Sequence, residues 1–372
     1  MTLYAHITGW GIALPNKILT NDELAKIVET DDEWIRSRTG IRERRIATPE
    51  QSTASLGAEA ALNALRMANV PPAKLELIIV STSSPEHVFP STASLVQDAI
   101  GAVNAGAFDL SAACTGFIYA LNMATQAIRS GSIKCALVVG AETLSRYVDW
   151  SDRNTCILFG DGAGAFVLQA SEEPGGVISS VLHSDGSGGD LLSLPAGGSK
   201  LPASLETVQN KQHFIQMNGR EVFRFATRVM AQATQEALQA ASWKIEDLHL
   251  VVPHQANQRI IEAAAKSLKL PMEKFVVNLE RFGNTSTASI PLAVYEAAHE
   301  GRLRRGDKLV LVGFGAGLTW GAVALIWAGP LPVTERTIPI KPYLRFSRLR
   351  SWLRRIIRRL EGKFWGRRNN GN

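Results

Sequence analysis

Four places in the chain combine residue types that can do chemistry. Cys114 follows Ala107-Phe108-Asp109-Leu110-Ser111-Ala112-Ala113, which reads as a strand ending in small residues. It precedes Thr115-Gly116-Phe117-Ile118-Tyr119-Ala120-Leu121, which opens a helix. A thiol at such a turn sits at the positive end of the helix dipole, a setting that favours thiolate and lowers the pKa from a free value of about 8.5. A buried, inert cysteine is the alternative, and Cys135 and Cys156, inside the apolar runs KCALVV and TCILFG, read that way. His254 closes the strand-like Val251-Val252-Pro253 and precedes a helix from Gln258 to Leu268. Functional groups gather at the carboxyl ends of strands in open α/β folds; a hydrogen-bonded structural histidine is the competing account. Asn284, in Arg281-Phe282-Gly283-Asn284-Thr285-Ser286-Thr287, lies in a tight turn opening a helix, where ordinary turn and cap chemistry also places asparagine. Gly313-Phe314-Gly315-Ala316-Gly317 follows the strand-like Leu309 to Val312. Glycines there let backbone N–H groups approach a ligand closely, as an oxyanion hole requires. No Lys-Ser or Lys-Thr follows, so the segment is no P-loop, and it lacks the helix and distant acid of a dinucleotide fingerprint.

These residues need a scaffold of buried strands and helices. Leu77 to Val80, Ala136 to Val139, Leu248 to Val252 and Leu309 to Val312 read as buried strands. Thr53 to Met67, Thr115 to Arg129, Val222 to Ala241 and Gln258 to Leu268 read as helices. The alternation indicates an α/β fold. The order of strand, strand and small-residue hairpin occurs twice, first in LELIIVSTSSP, KCALVVGAE and FGDGAGAFVLQ, then in DLHLVVPHQAN, GDKLVLVGFGAG and TWGAVALIW. The simplest organisation is two similar halves, 1–175 and 176–329, followed by 330–372.

Composition agrees with a globule: 372 residues, 45% hydrophobic and 20% charged. Three cysteines argue against a disulfide scaffold and fit a reducing compartment. The N-terminus MTLYAHITGWGIALPN shows no signal-peptide pattern, and no apolar run reaches the roughly 20 residues of a spanning helix, so the expected location is the cytoplasm. The net charge of +6 conceals an asymmetry. From Val333 to Asn372 there are twelve Lys or Arg and two acidic residues, a net of +10, which leaves −4 for the rest. After Ala328, Gly329 and four prolines break regular structure. From Tyr343 to Trp365, Phe346, Leu349, Leu353, Ile356, Ile357, Leu360 and Phe364 then recur at three- and four-residue steps between arginines. This is a basic amphipathic helix. Contact with an anionic membrane surface ranks first for it, docking on the acidic globule second. Nucleic acid ranks last, for want of a recognised motif.

Taken together, TDDEWIRSRTGIRERR, DLSAACTGF, FGDGAGA, VPHQAN and RFGNTSTASIP, in this order and spacing, resemble the β-ketoacyl-[acyl carrier protein] synthase III family over roughly Leu3 to Trp327. The resemblance implies the thiolase fold, with two duplicated α/β halves in a five-layered α-β-α-β-α arrangement, and a homodimer. It implies that Cys114 accepts an acyl group from acyl-CoA, with backbone N–H groups of Cys114 and Ala316 holding the oxyanion. His254 and Asn284 would stabilise the enolate formed as malonyl-[acyl carrier protein] loses carbon dioxide, and Phe314 would flank the departing carboxylate. Thr30, Trp34, Arg38, Arg153 and Asn257 match coenzyme A contacts. Arg224, Arg259 and Lys266 match the basic patch for the acidic carrier protein, for which a solvated helix face is the plain alternative. Phe89 matches a phenylalanine that shortens the acyl pocket in acetyl-preferring members. No metal or permanently bound cofactor is implied; acyl-CoA is a substrate. The chain departs from the family's frequent Phe-Gly-Gly-Gly with FGAG, carries Ser267 where a second lysine often stands, and continues beyond Ala328 where typical members end.

Other functions compete. A papain-like hydrolase also orders Cys, His and Asn, but its Cys-Gly-Ser-Cys-Trp type of signature is absent. A related thiolase-fold acyltransferase or condensing enzyme of specialised metabolism is the closer alternative. A non-catalytic scaffold is disfavoured by the joint presence of Cys114, His254 and Asn284.

Overall fold

Two sheets carry the fold of this computed structural model, which describes residues 2–329, 346 and 349–361. The proline-containing linker 330–345, and Phe364 and Trp365 of the expected tail helix, lie outside the described residues. In the first sheet, β1 (Tyr4–Ala13), β2 (Leu77–Ser81), β3 (Gly106–Leu110), β4 (Cys135–Thr143) and β5 (Asp161–Ser171) are ordered β1-β5-β4-β2-β3. Strand β2 is parallel to β3 and β4, and β5 is antiparallel to β4 and β1. In the second, β6 (Gly176–Ser184), β7 (Leu250–Pro253), β8 (Lys308–Gly315) and β9 (Thr319–Ile326) are ordered β7-β8-β9-β6. There β7 and β8 are parallel, and β9 is antiparallel to both its neighbours. Apart from β3, the sheets share one connectivity: a parallel pair, an antiparallel strand, then an antiparallel edge.

Helices α1 (Asp32–Thr39), α2 (Thr53–Ala68), α3 (Thr92–Ile100), α4 (Gly116–Arg129), α5 (Gly219–Ala240), α6 (Gln258–Leu268) and α7 (Ser289–His299) supply most of the covering layers. Strand alternation decides which face goes where. On β4, Ala136 and Val138 join a central cluster with Phe117, Leu121, Ile290 and Val294, whereas Leu137, Val139 and Ala141 face outward to α2 and α3. On β8, Leu309 and Leu311 face the same central cluster, and Val310 and Val312 face α5 and α6. Helices α4 and α7 therefore lie between the sheets, α2 and α3 outside the first, and α5 and α6 outside the second. Five layers result, because both faces of both sheets are apolar and each must be covered.

The central layer brings the halves to backbone contact at Gly140. A Cβ on Gly140 of β4 would lie 2.3 Å from the carbonyl oxygen of Thr287, in the turn leading into α7. A Cβ on Gly57, inside α2, would meet only side chains at 3.4–3.5 Å. Gly140→Ala is expected to destabilise the protein by about 1–3 kcal/mol through overpacking, while Gly57→Ala is neutral or stabilising because it restores helix propensity. Thermal melts of the two variants check this; a tolerated Gly140→Ala would mean that the halves are not locked there.

Candidate active site

Strand β3 reaches Cys114 through Ser111 and Ala112, and one 3-10 turn, Ala113–Thr115, leads on into α4. Ala113 has φ 46°, a left-handed conformation that costs a non-glycine residue about 1–2 kcal/mol and directs Cys114 into the space between the halves. The second half braces this elbow. The Thr115 hydroxyl donates to the Thr319 carbonyl at 3.1 Å, and Thr319 Oγ1 lies 3.0 Å from the carbonyl oxygens of Ala112 and Ala316, donating to one at a time. Gly315 passes so near that a Cβ there would sit 2.6 Å from Cys114 N. That close approach explains a glycine at this position.

His254 follows β7, and its N–H donates to Val312 of β8 at 2.8 Å. Its Nδ1 is 2.7 Å from Ser289 Oγ, and Ser289 donates its own proton to the Ser286 carbonyl at 2.7 Å. With that proton committed, the network assigns N–H to Nδ1 and leaves Nε2 as a bare acceptor. Nε2 is buried without a partner. Burial pushes the His254 pKa down to about 3, so the ring is neutral at ordinary pH. The Phe314 ring packs edge-on against it, with centroids 5.3 Å apart.

Asn284 is held by its backbone. Its N–H donates to Leu158 at 2.8 Å, and Gly160 N–H donates to its carbonyl at 3.0 Å. Gly283 before it has φ 63°, and a Cβ would fall 2.8 Å from Leu158 O. Asn284 Oδ1 accepts from Ser286 N–H at 2.9 Å, which leaves the Nδ2 donors for the cavity that Asn284 lines. Cys114 lies where two cavities meet. One, of about 110 Å³, is walled mainly by Leu144, Tyr147, Phe159, Leu194 and Ile215, with Ala316 beside the thiol. The other, of about 90 Å³, is bounded by His254, Asn284, Phe314, Phe223 and Asn257.

The thiol does not have the lowered pKa expected from its place at a helix start. Burial pushes Cys114 up to about 12, and the nearby Glu142 carboxylate acts in the same direction. Loss of water around a thiolate outweighs the dipole of one helix end. Glu142, at the end of β4, was not singled out from the sequence, although an acid closing the apolar run KCALVVGAE was a signal. It accepts from the Ser84 hydroxyl at 2.6 Å, Ser83 N–H at 3.1 Å and the Thr287 hydroxyl at 3.0 Å, and burial raises its pKa. Ser286 Oγ has no hydrogen bond of good geometry, yet it lies near enough to Cys114 and Glu142 to favour both anions. Sequence reading also missed Ser289 and the buried Arg44. Arg44 donates to Asn21 Oδ1 at 2.9 Å and to the Ile157 carbonyl at 2.8 Å, and packs beneath Gly283.

Trp34, Arg38 and Arg153 come together at the surface, the two guanidinium carbons 5.6 and 5.1 Å from the indole centroid. Arg153 also donates to the carbonyl of Glu29 at 3.3 Å, next to Thr30, whose hydroxyl is buried without a partner. Asn257 caps α6, donates to the Arg38 carbonyl at 2.9 Å and lines the second cavity, so it links this cluster to the thiol. Arg224 and Arg259 are exposed near Phe223 at the rim; Arg224 is paired with Glu221, and Arg259 stands 5.3 Å from the Phe223 ring centroid. Lys266 is exposed two turns along α6. Phe89 is 84% exposed and lines neither cavity of its own chain. It stands in the loop between β2 and α3. Among the described residues, no group of three His, Cys, Asp or Glu is arranged to hold a metal ion.

The His254 environment has a thermodynamic consequence. The unfolded residue titrates near 6.5 and the folded one near 3. Between those values the unfolded chain binds a proton that the folded chain refuses, so this stability is complete above 6.5 and is lost as pH falls below it. Moving from pH 7 to 5.5 should cost the wild type about 1 kcal/mol more than it costs His254→Asn. Urea titrations at both values read the difference; equal losses would show that His254 is not held neutral.

Comparison with known proteins gives a consistent result. The family model of 3-oxoacyl-[acyl-carrier-protein] synthase III matches residues 108–186, and that of its C-terminal part matches residues 238–327. A Symbiobacterium thermophilum protein named β-ketoacyl-[acyl-carrier-protein] synthase III is 55% identical over 321 residues, 86% of this chain and 97% of the relative. The crystal structure of 3-oxoacyl-[acyl-carrier-protein] synthase III from Aquifex aeolicus matches with a TM-score of 0.80 and 48% identity, over 87% of this chain and 100% of that one. A priming β-ketosynthase from a polyketide biosynthetic pathway matches with a TM-score of 0.81 and 37% identity, over 88% and 97%.

Proposed function

This chain belongs to the β-ketoacyl-[acyl-carrier-protein] synthase III family, and we infer that Cys114 is the centre at which it condenses an acyl group from acyl-CoA with malonyl-[acyl carrier protein]. The products are β-ketoacyl-[acyl carrier protein], coenzyme A and carbon dioxide, and the reaction starts fatty acid synthesis. The observation that carries the assignment of residues is the meeting of Cys114 from the first half with His254, Asn284 and Phe314 from the second around one cavity.

In the first step the Cys114 sulfur attacks the thioester carbonyl, the bond to the coenzyme A sulfur breaks, and coenzyme A leaves as its thiol. The Cys114 proton must depart as the new bond forms, because burial disfavours a standing thiolate. The bare Nε2 of neutral His254 lines the same cavity and relays that proton to the departing coenzyme A sulfur, so that the imidazole ends the step neutral. Cys114 and Ala316 N–H groups hold the oxyanion. In the second step the malonyl carbon–carboxylate bond breaks and its electron pair passes into a thioester enolate. That oxygen needs donors, which Asn284 Nδ2 and a protonated His254 Nε2 supply. Ser289 permits the change: once solvent exchange has removed the proton from Nδ1 and delivered one to Nε2, its hydroxyl turns from the Ser286 carbonyl to Nδ1 and stabilises that tautomer. The edge-packed Phe314 makes the cavity inhospitable to a carboxylate and favours its loss as carbon dioxide. The enolate carbon then attacks the acyl-Cys carbonyl, the carbon–sulfur bond breaks, and the Cys114 sulfur takes up one proton from solvent to restore the thiol.

The short apolar cavity beside the thiol suits a starter of a few carbons such as acetyl. The Trp34 indole and the Arg153 guanidinium, 5.1 Å apart, suit a pair that takes the adenine ring between them, with Arg38 close by. Asn257 and Thr30 supply polar contacts along the coenzyme. Arg224, Arg259 and Lys266 suit an acidic carrier protein. A nucleophile that works only as a free thiol belongs in a reducing compartment, which supports the cytoplasm. Exposed Val88 and Phe89, with Phe108 on the edge strand β3, support a homodimer joined along that edge; sedimentation of the pure protein as a monomer would remove this part of the reading.

Incubation with acetyl-CoA should add one acetyl group to the enzyme, seen by mass spectrometry, and malonyl-[acyl carrier protein] should then become acetoacetyl-[acyl carrier protein]. Cys114→Ala should gain no acyl group and lose condensation by on the order of a thousandfold. Ser289→Ala should still acylate but condense roughly tenfold more slowly. A wild-type enzyme left unacylated by acetyl-CoA and by longer acyl-CoA donors would overturn the nucleophile assignment.

A further inference from the structure

The helix 349–361 meets its own globule with its polar side. Ser351 is buried and its hydroxyl donates to Asp98 Oδ2 at 2.8 Å; Arg355 reaches the same carboxylate at 3.5 Å. Arg350 and Arg354 border the contact together with Gln97. Leu349, Trp352, Leu353, Ile357 and Leu360 are each 45–55% exposed. At 3.6 residues per turn these five fall within an arc of roughly 140° centred opposite Ser351. A helix that stabilises its own domain buries its apolar stripe; this one turns the stripe outward.

We propose that this helix lies on an anionic lipid bilayer, with the five apolar side chains in the acyl boundary and arginines at the lipid phosphates. Charge favours that occupant: residues 333–372 carry a net of +10 against −4 for the rest of the chain. Arg350 and Arg359 stand on the two margins of the stripe, where side chains of an interfacial helix reach phosphates. A polynucleotide would need the arginine side that faces Asp98 and would leave the apolar stripe exposed. Two copies paired stripe to stripe would set arginine-rich margins against each other. No described helix is long and apolar enough to cross a membrane, so the contact is interfacial. The polar-side contact with Asp98 holds the globule against the outer side of the adsorbed helix.

The full-length protein should float with vesicles of phosphatidylcholine mixed with phosphatidylglycerol and not with phosphatidylcholine alone, and added salt should weaken the binding. Leu353→Ser/Ile357→Ser should reduce binding on the order of tenfold, and Arg350→Gln/Arg359→Gln roughly fivefold for each arginine removed, while condensation of soluble substrates is unchanged. Equal flotation of the wild type and Leu353→Ser/Ile357→Ser would overturn the proposal. So would an absence of vesicle binding accompanied by retention on duplex DNA or RNA, or by self-association that the serine variant abolishes.

Discussion

Glu142, at the end of β4, takes hydrogen bonds from Ser83 and Ser84 beyond β2 and from Thr287 in the turn before α7. A buried carboxylate is tolerable only when donors surround it, and here the donors come from both halves. The carboxylate therefore fixes the distance between the Cys114 elbow and the turn that carries Asn284. Gly140, two residues earlier on the same strand, lets that turn approach to backbone contact. Without this seam the two halves would each keep their layers, but their functional side chains would not face one cavity.

The same desolvation that makes the seam costly sets the chemical state of the site. Cys114 and His254 both sit where charge is disfavoured, so the resting pair is a neutral thiol and a neutral imidazole. Charge then appears only transiently, as the Cys114 proton passes by way of His254 or as the malonyl carboxylate enters, and fixed donors meet it. Burial of the imidazole removes ordinary acid–base titration and leaves the tautomer as the variable. The Ser289 hydroxyl, placed between Nδ1 and the Ser286 carbonyl, governs that variable.

The terminal helix follows a different physical rule from the globule. Inside the five layers every apolar stripe finds another, and α4 and α7 are covered by sheets on both sides. In 349–361 the polar side is the one in contact, through Ser351 and Asp98. Its periodicity was plain in the sequence, since Leu349, Leu353 and Ile357 recur on one face among arginines. Periodicity states that a stripe exists, but not which way it turns.

By itself the sequence determined the alternation of strands and helices, the repeated order in the two halves, and Cys114, His254 and Asn284 as candidates. Those features are written in local patterns: apolar runs of strand length, small residues at turns, and motifs whose spacing survives in one dimension. Boundaries shifted by only a few residues, as where the expected strand from Leu248 begins at Leu250, after a 3-10 turn at Ile245–Asp247. Tertiary structure alone decided the rest. Burial reversed the expected effect of the helix start on the Cys114 thiol, because desolvation depends on what surrounds the sulfur in space. Glu142, Arg44 and Ser289 acquired their roles from partners 3 to 145 positions away. Phe89 stands exposed rather than beside the acyl cavity of its own chain, a placement that no spacing of residues encodes.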